Sequence, residues 1–184
     1  THSVEKDQQL EKAGDRLSQS LERLQQWQVD GEEDDIVRRS LRQTYQRGRN
    51  IMRDAIEQSE AETLHEWRKQ VKYHWYHCRL LRCLWQGAMN ARIAAADQLS
   101  DLLGADHDLA ILQSHMADEP LAFGKPDDVE AFFGLIKQRR TRLQHKAMRL
   151  GRRLFAEKPK AYSQRIVALW RVWKAPNAQS TDVV

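Results

Sequence analysis

Along the chain, apolar side chains return every third and fourth residue, and no stretch alternates with period two for long enough to make a strand. The pattern predicts six helices. The first covers residues 4–29 with Leu10, Leu17, Leu21 and Leu24 facing inward, and an acidic turn at residues 30–35, around Gly31, separates it from a second that continues to residue 59. A third spans 60–86 and stops near Gly87, and a fourth spans 89–116 with Gly104 as the point of a bend. Residues 117–125, which carry Pro120 and Gly124, form the one linker. Asp127 or Asp128 then caps a fifth helix reaching residue 156, and Pro159 sits in the first turn of a sixth that ends before Pro176. Residues 1–176 are expected to form one helical domain, with a disordered tail at 177–184.

Buried faces follow from the same spacing. Val37, Leu41, Gly48, Ile51, Met52 and Ala55 share one side of the second helix; Leu64, Trp67, Val71, Cys78 and Trp85 share one side of the third. On the fifth, Phe132, Ile136, Leu143, Ala147, Leu150 and Leu154 form the seam.

Composition agrees with an all-α fold. The 184 residues include only eight Gly and four Pro, and are rich in Leu, Ala, Gln, Glu, Lys and Arg, which lose least on entering a helix. No run of about 18 apolar residues offers a membrane span, and no signal-peptide pattern opens the sequence, so a cytoplasmic protein is expected. Cys78 and Cys83 are separated by about 7.5 Å along one helix and point to different faces, which suits reduced thiols.

Charge placement changes the picture more. The net charge of +4 conceals two cationic blocks: residues 36–82 hold eleven basic and five acidic side chains, and residues 137–174 hold thirteen and one. Projected at about 100° per residue, Arg38, Arg42, Arg49 and Arg53 align on the second helix with Tyr45 at their edge. His65, Arg68, Lys69, Lys72, Tyr76 and Arg79 share a sector of the third, and Arg142, Lys146, Arg149 and Arg153 align on the fifth beside His145. Like charges at such spacing repel, by a few tenths of a kcal/mol per neighbouring pair, so helix stability does not select them. An external polyanion would, since counter-charge is absent from the same face; the alternative is pairing with the acidic residues of the fourth helix.

Four ordered segments carry a resemblance. His65, Arg68, Lys69 and Lys72, within residues 65–75, resemble the HxxRxxxK-type signature of the CHAD family, the conserved histidine α-helical domain. Residues 44–49, residues 102–112 and residues 151–162 resemble its flanking segments, so the likeness spans residues 36 to about 173. It implies two four-helix bundles related by internal pseudo-symmetry, and binding of inorganic polyphosphate in a basic groove without catalysis, cofactor or metal. It makes His65, Arg68, Lys69 and Lys72 phosphate-facing, together with Arg152, Arg153, Lys158 and Lys160. Relatives of this kind occur beside a triphosphate-tunnel catalytic domain, which is a possible partner in a longer chain. Members usually carry two copies of the His-containing helix. One is present here, so the sequence is expected to be the C-terminal half to two-thirds of a longer domain.

Polyphosphate fits the residues independently. A thin chain with about one charge per phosphate suits closely spaced Lys and Arg on rigid helices, and bidentate Arg forks match phosphate oxygens. A narrow groove would admit it and exclude a duplex, leaving nucleic acid as a weak competitor. His65 would gain charge as pH falls and tighten binding. His74 projects to the apolar side as a core imidazole. His107 and Asp108 lie beside Asp101 and Asp106; these carboxylates either bind a divalent cation, cap a bend at Gly104 or, the favoured reading, pair with the basic rows to orient them. A nucleic-acid-binding protein, a polyphosphate hydrolase or its accessory domain are the rival functions, and targeting to polyphosphate granules is compatible with the first reading.

Overall fold

The computed structural model describes residues 2–25 and 31–175, all of whose regular elements are helical. They fall into two units, Thr1–Glu33 and Asp34–Val184. The first holds α1 (His2–Gln25), whose Leu10, Leu17 and Leu21 are exposed to 70, 68 and 60% rather than facing inward. The periodicity correctly marked a helix with one apolar stripe, and the stripe lies open. The side chain of Leu24, the chain at 26–30 and the tail at 176–184 lie outside the described residues.

The second unit comprises α2 (Glu33–Glu57), α3 (Ala61–Leu80), α4 (Gln86–Asp118), α5 (Pro126–Leu154) and α6 (Pro159–Lys174). Prolines open α5 and α6 at N1, where their missing amide costs nothing and their fixed φ suits the helix. Asp127 and Asp128 lie in the first turn of α5, with Lys125 as N-cap, so they complement the positive end of the helix rather than cap it. Before that start, Gly124 takes a φ of +131°, which only glycine adopts without strain.

α3 and α4 run antiparallel: His65 meets His107, Arg68 meets the Ser100 carbonyl and Lys72 meets Asp97. α3 ends at Leu80, six residues before the expected stop. A 3₁₀ turn, Arg82–Leu84, and an extended Trp85 re-aim the chain so that Leu81 and Leu84 pack on the core. Trp85, expected in the core, is therefore 60% exposed. No Gly or Pro marks this break before Gly87, which is why spacing alone carried the helix too far.

The core joins Leu41, Tyr45, Met52 and Ala55 of α2 to Leu64, Trp67 and Val71 of α3, Leu99 and Leu103 of α4, Ala147 and Leu154 of α5, and Tyr162 and Ile166 of α6. A smaller cluster of Met116, Val129 and Ile136, with Leu109, Leu112 and Phe133 against it, closes the far end of α4 and α5. Phe133, not the expected Phe132, faces that cluster, and Phe132 is 43% exposed. α4 is one uninterrupted helix through Gly104, where the lack of a side chain gives room to the Arg68 guanidinium.

Gly151 leaves no room for a side chain. A Cβ there would collide with the Trp67 ring and press on the Met52 sulfur. Gly151→Ala is expected to lower unfolding free energy by about 1–3 kcal/mol, the usual cost of overpacking, in a urea melt. An unchanged midpoint would mean that the Trp67 ring has room to move.

Candidate functional site

α2 and α6 lie antiparallel, with Asp34 of α2 bonded to Arg171 near the C-terminus of α6 and Arg49 of α2 bonded to Glu157 just before α6 begins. Between them is a cleft of about 440 Å³ lined by Arg38 and Arg42 from α2 and by Lys160, Ser163, Gln164, Val167, Ala168 and Arg171 from α6. Four cationic side chains thus face one concavity with an apolar floor. Arg42 also lines an adjoining recess of about 390 Å³ with Arg39, Gln43, Gln46 and Arg47. Among the described residues, Arg42 and Lys160 have no ion-pair partner, whereas Arg38 is held by Asp35 at 2.6 Å and Arg171 by Asp34 at 2.6 Å.

The turn that launches α6 is fixed by a partly buried network. Tyr45 Oη and Arg92 Nη2 both donate to the Leu154 carbonyl at 3.0 Å, satisfying an orphan acceptor at the end of α5, where a cation also suits the negative end of the helix. Arg49 Nη1 donates to the Glu157 carbonyl at 2.7 Å. The Glu157 carboxylate accepts from Arg165 Nε at 3.1 Å and Nη2 at 2.7 Å, and from Arg92 Nη1 at 3.3 Å. Burial opposes its charge, but the Arg165 bonds and the Arg165 and Arg92 charges outweigh it and hold the carboxyl below its ordinary range. The turn is thereby held against α2 and α4, with Lys158 and Lys160 exposed on its outer side.

Tyr45 belongs to this network and not to a ligand surface. It is fully buried, stacked on Tyr162 at 4.3 Å and edge-on to His74 at 5.5 Å, which corrects its expected place at the edge of the cationic face. One turn of periodicity cannot distinguish a residue flanking the core from one inside it when a second aromatic covers it.

His74 is a core imidazole as expected, 3.6 Å from the Cys78 sulfur and 3.4 Å from Arg92 Nη2. Burial, and then the Arg92 and His77 charges, push its pKa down to about 3. The folded state thus binds fewer protons than the unfolded chain between about pH 3 and 6.5; His74 contributes stability above that window, and this is lost as pH falls through it. Unfolding free energy is expected to drop by about 2 kcal/mol from this group between pH 7 and pH 5, read from denaturant melts at the two values. His74→Met should remove that part of the slope; an identical slope in the variant would refute the assignment.

On α3 the basic face is partly neutralised. Arg68 lies along α4 with Nε 3.4 Å from the Ser100 carbonyl, Lys69 pairs with Glu66 at 2.6 Å, and Lys72 reaches Asp97 at 3.7 Å. The expected absence of counter-charge on the same face is corrected by Glu66, which shares the helix, while Asp97 arrives from α4, the alternative pairing with that helix's acidic residues. Lys72 and Arg79 also sit over the Trp75 ring at 5.1 and 4.6 Å. Tyr76 is half exposed beside that ring. His65 turns from Lys69 toward α4, its ring 4.5 Å from that of His107, in a pocket shared with Glu62, Glu66 and Ile111.

Arg142, Lys146, Arg149 and Arg153 form an exposed row on α5, with Arg152 also exposed and none ion-paired among the described residues. None of them lines the α2–α6 cleft. The orienting carboxylate is Asp106, 1% exposed, which takes two bonds from Arg140 at 3.1 and 3.3 Å and one from Gln144 at 2.9 Å. Asp108, expected in that role, is exposed, and its side chain has no ion pair or hydrogen bond among the described residues; two helical positions turn it away from α5. Among the described residues, no three of His, Cys, Asp and Glu are grouped so as to hold a metal ion.

Sequence reasoning missed Arg171, Arg39, Arg47, Arg92 and Arg165. Lys160, Gln164, Val167 and Arg171 follow the spacing applied to the other helices, so Arg171 was findable. Arg92 and Arg165, isolated basic residues on largely apolar helices, gave no pattern.

Residues 5–117 match the family described as CHAD domain. The matched range holds three of the four resembling segments, those around Thr44, His65 and Gly104, and excludes the segment at 151–162 with α5 and α6. No curated protein and no solved structure matches the chain. Among the described residues, no helix is long and apolar enough to cross a membrane.

Proposed function

The chain belongs to the CHAD domain family, and on that premise we propose that it binds inorganic polyphosphate without catalysis. The family is associated with polyphosphate-related proteins. The observation that carries the reading is the α2–α6 cleft, where Arg38, Arg42, Lys160 and Arg171 face one concavity from two helices. Arg39 and Arg47 extend it through Arg42, and the Arg142 to Arg153 row on α5, with Arg152 and Lys158, offers further unpaired cations to a long chain. Arg68, Lys69, Lys72 and Arg79 contribute less in this reading, because packing, carboxylates or the Trp75 ring already engage them.

Affinity should arise mainly from counterion release. Binding by the chain would serve to bring a longer protein, including one with a triphosphate-tunnel-type catalytic domain, to polyphosphate or its granules. Competition between duplex DNA and long-chain polyphosphate at equal phosphate concentration near physiological salt tests the ligand class. Polyphosphate should displace DNA; the reverse would favour the nucleic-acid reading. Among the described residues, none that lines the cleft or its recess is aromatic, so bases would find no platform to stack on, which favours the bare phosphate chain.

A further inference from the structure

Resting on the polyphosphate reading, we propose that Asp34 and Asp35 are specificity-determining residues that make the cleft select long phosphate chains over short ones. Two of the four cations that line the cleft are already engaged by carboxylates from the first turn of α2: Arg171 Nε donates to Asp34 Oδ2 and Arg38 Nη1 donates to Asp35 Oδ1, each at 2.6 Å. The other two, Arg42 and Lys160, are without an ion-pair partner among the described residues. The cleft therefore presents two ready cations and two whose charge an internal carboxylate already offsets, so a ligand gains their full charge only by displacing it.

A short anion has no alternative. Orthophosphate finds the full charge of Arg42 and Lys160 alone, and tripolyphosphate gains that of Arg38 and Arg171 only by breaking the Asp35 and Asp34 pairs. A long chain is not so confined. From Arg42 it continues into the recess lined by Arg39 and Arg47, replacing the engaged cations with others. The internal carboxylates thus penalise ligands too short to go around them. Both pairs are at least partly exposed, so each shifts an equilibrium by no more than about fivefold.

The test is titration of the full chain and of D34N/D35N with sodium tripolyphosphate and with long-chain inorganic polyphosphate at fixed ionic strength. In the variant, tripolyphosphate should bind about five- to twentyfold tighter, while the affinity per site for long chains changes less than about threefold. D34S/D35S, which keeps a hydrogen-bonding group in the first turn, should give the same ratio, separating loss of charge from loss of helix-end contacts. If the wild type binds long chains and both variants keep its ratio, the selectivity role is overturned while the binding reading stands. If the wild type fails to bind long chains, the binding reading falls and this inference with it.

Discussion

Reversing charge at Arg42 and Lys160 together, as R42E/K160E, is expected to weaken polyphosphate binding by about 100-fold with helicity and melting temperature unchanged. Each side chain is exposed and lacks an ion-pair partner among the described residues, so the fold loses nothing when either changes. A hydrogen bond to a charged group contributes about 1.5–3 kcal/mol, and two such losses give at least the stated factor before the added repulsion is counted. Arg68 would be a poor choice for the same experiment. It fills the space over Gly104 and donates to the Ser100 carbonyl, so its reversal would damage the α3–α4 contact and confuse binding with folding. Isothermal titration of the double variant gives the answer, and wild-type affinity there would remove the α2–α6 cleft from the site.

Asp106→Ala should produce the largest loss of stability among single substitutions of the polar residues. The carboxylate is buried and is the acceptor for three donors from α5, two from Arg140 and one from Gln144. Removing it leaves a guanidinium with 18% side-chain exposure facing a cavity, with Gln113 as its one remaining side-chain acceptor among the described residues. Breaking a pair of this kind costs about 3 kcal/mol or more, since the uncompensated charge stays in place. For a chain of this length that corresponds to a fall of roughly 6–12 °C in Tm, measured by circular dichroism. Asp106→Asn should fall between, because it can still accept from one donor. A shift below about 2 °C for the alanine variant would show that Arg140 escapes to solvent.

The same two regions show where the sequence was legible. Periodicity located the helices and most of the seams because an amphipathic stripe is a local property of one helix, and Leu41, Met52, Leu64, Trp67, Leu143 and Leu154 all lie in the core it predicts. It failed at Trp85 because the end of α3 is set by the packing of Leu81 and Leu84 and leaves no local punctuation. It failed at Tyr45 because only the arrival of Tyr162 and Leu154 from elsewhere in the chain buries that ring. Charge followed the same division. The basic rows could be drawn on single helices, but whether each cation is free depends on carboxylates from a neighbour: Asp97 for Lys72, Asp34 for Arg171, Asp106 for Arg140. The α2–α6 cleft was half legible, with Arg38, Arg42 and Lys160 all singled out as phosphate ligands, and its second half needed the antiparallel placement of α6 that brings Arg171 beside Asp34.

The central claim is that a cluster of cations on rigid helices holds a phosphate chain by charge. It is tested most directly by the affinity of the wild-type protein for long-chain polyphosphate across a salt series. Saturable binding is expected, with the logarithm of the association constant falling linearly against the logarithm of salt concentration at a slope near −3, about −0.7 for each of the four cations a long chain engages, Arg42, Lys160, Arg39 and Arg47, by analogy with single-stranded nucleic acid. Absence of saturable binding at low salt, or an affinity indifferent to salt, would contradict it.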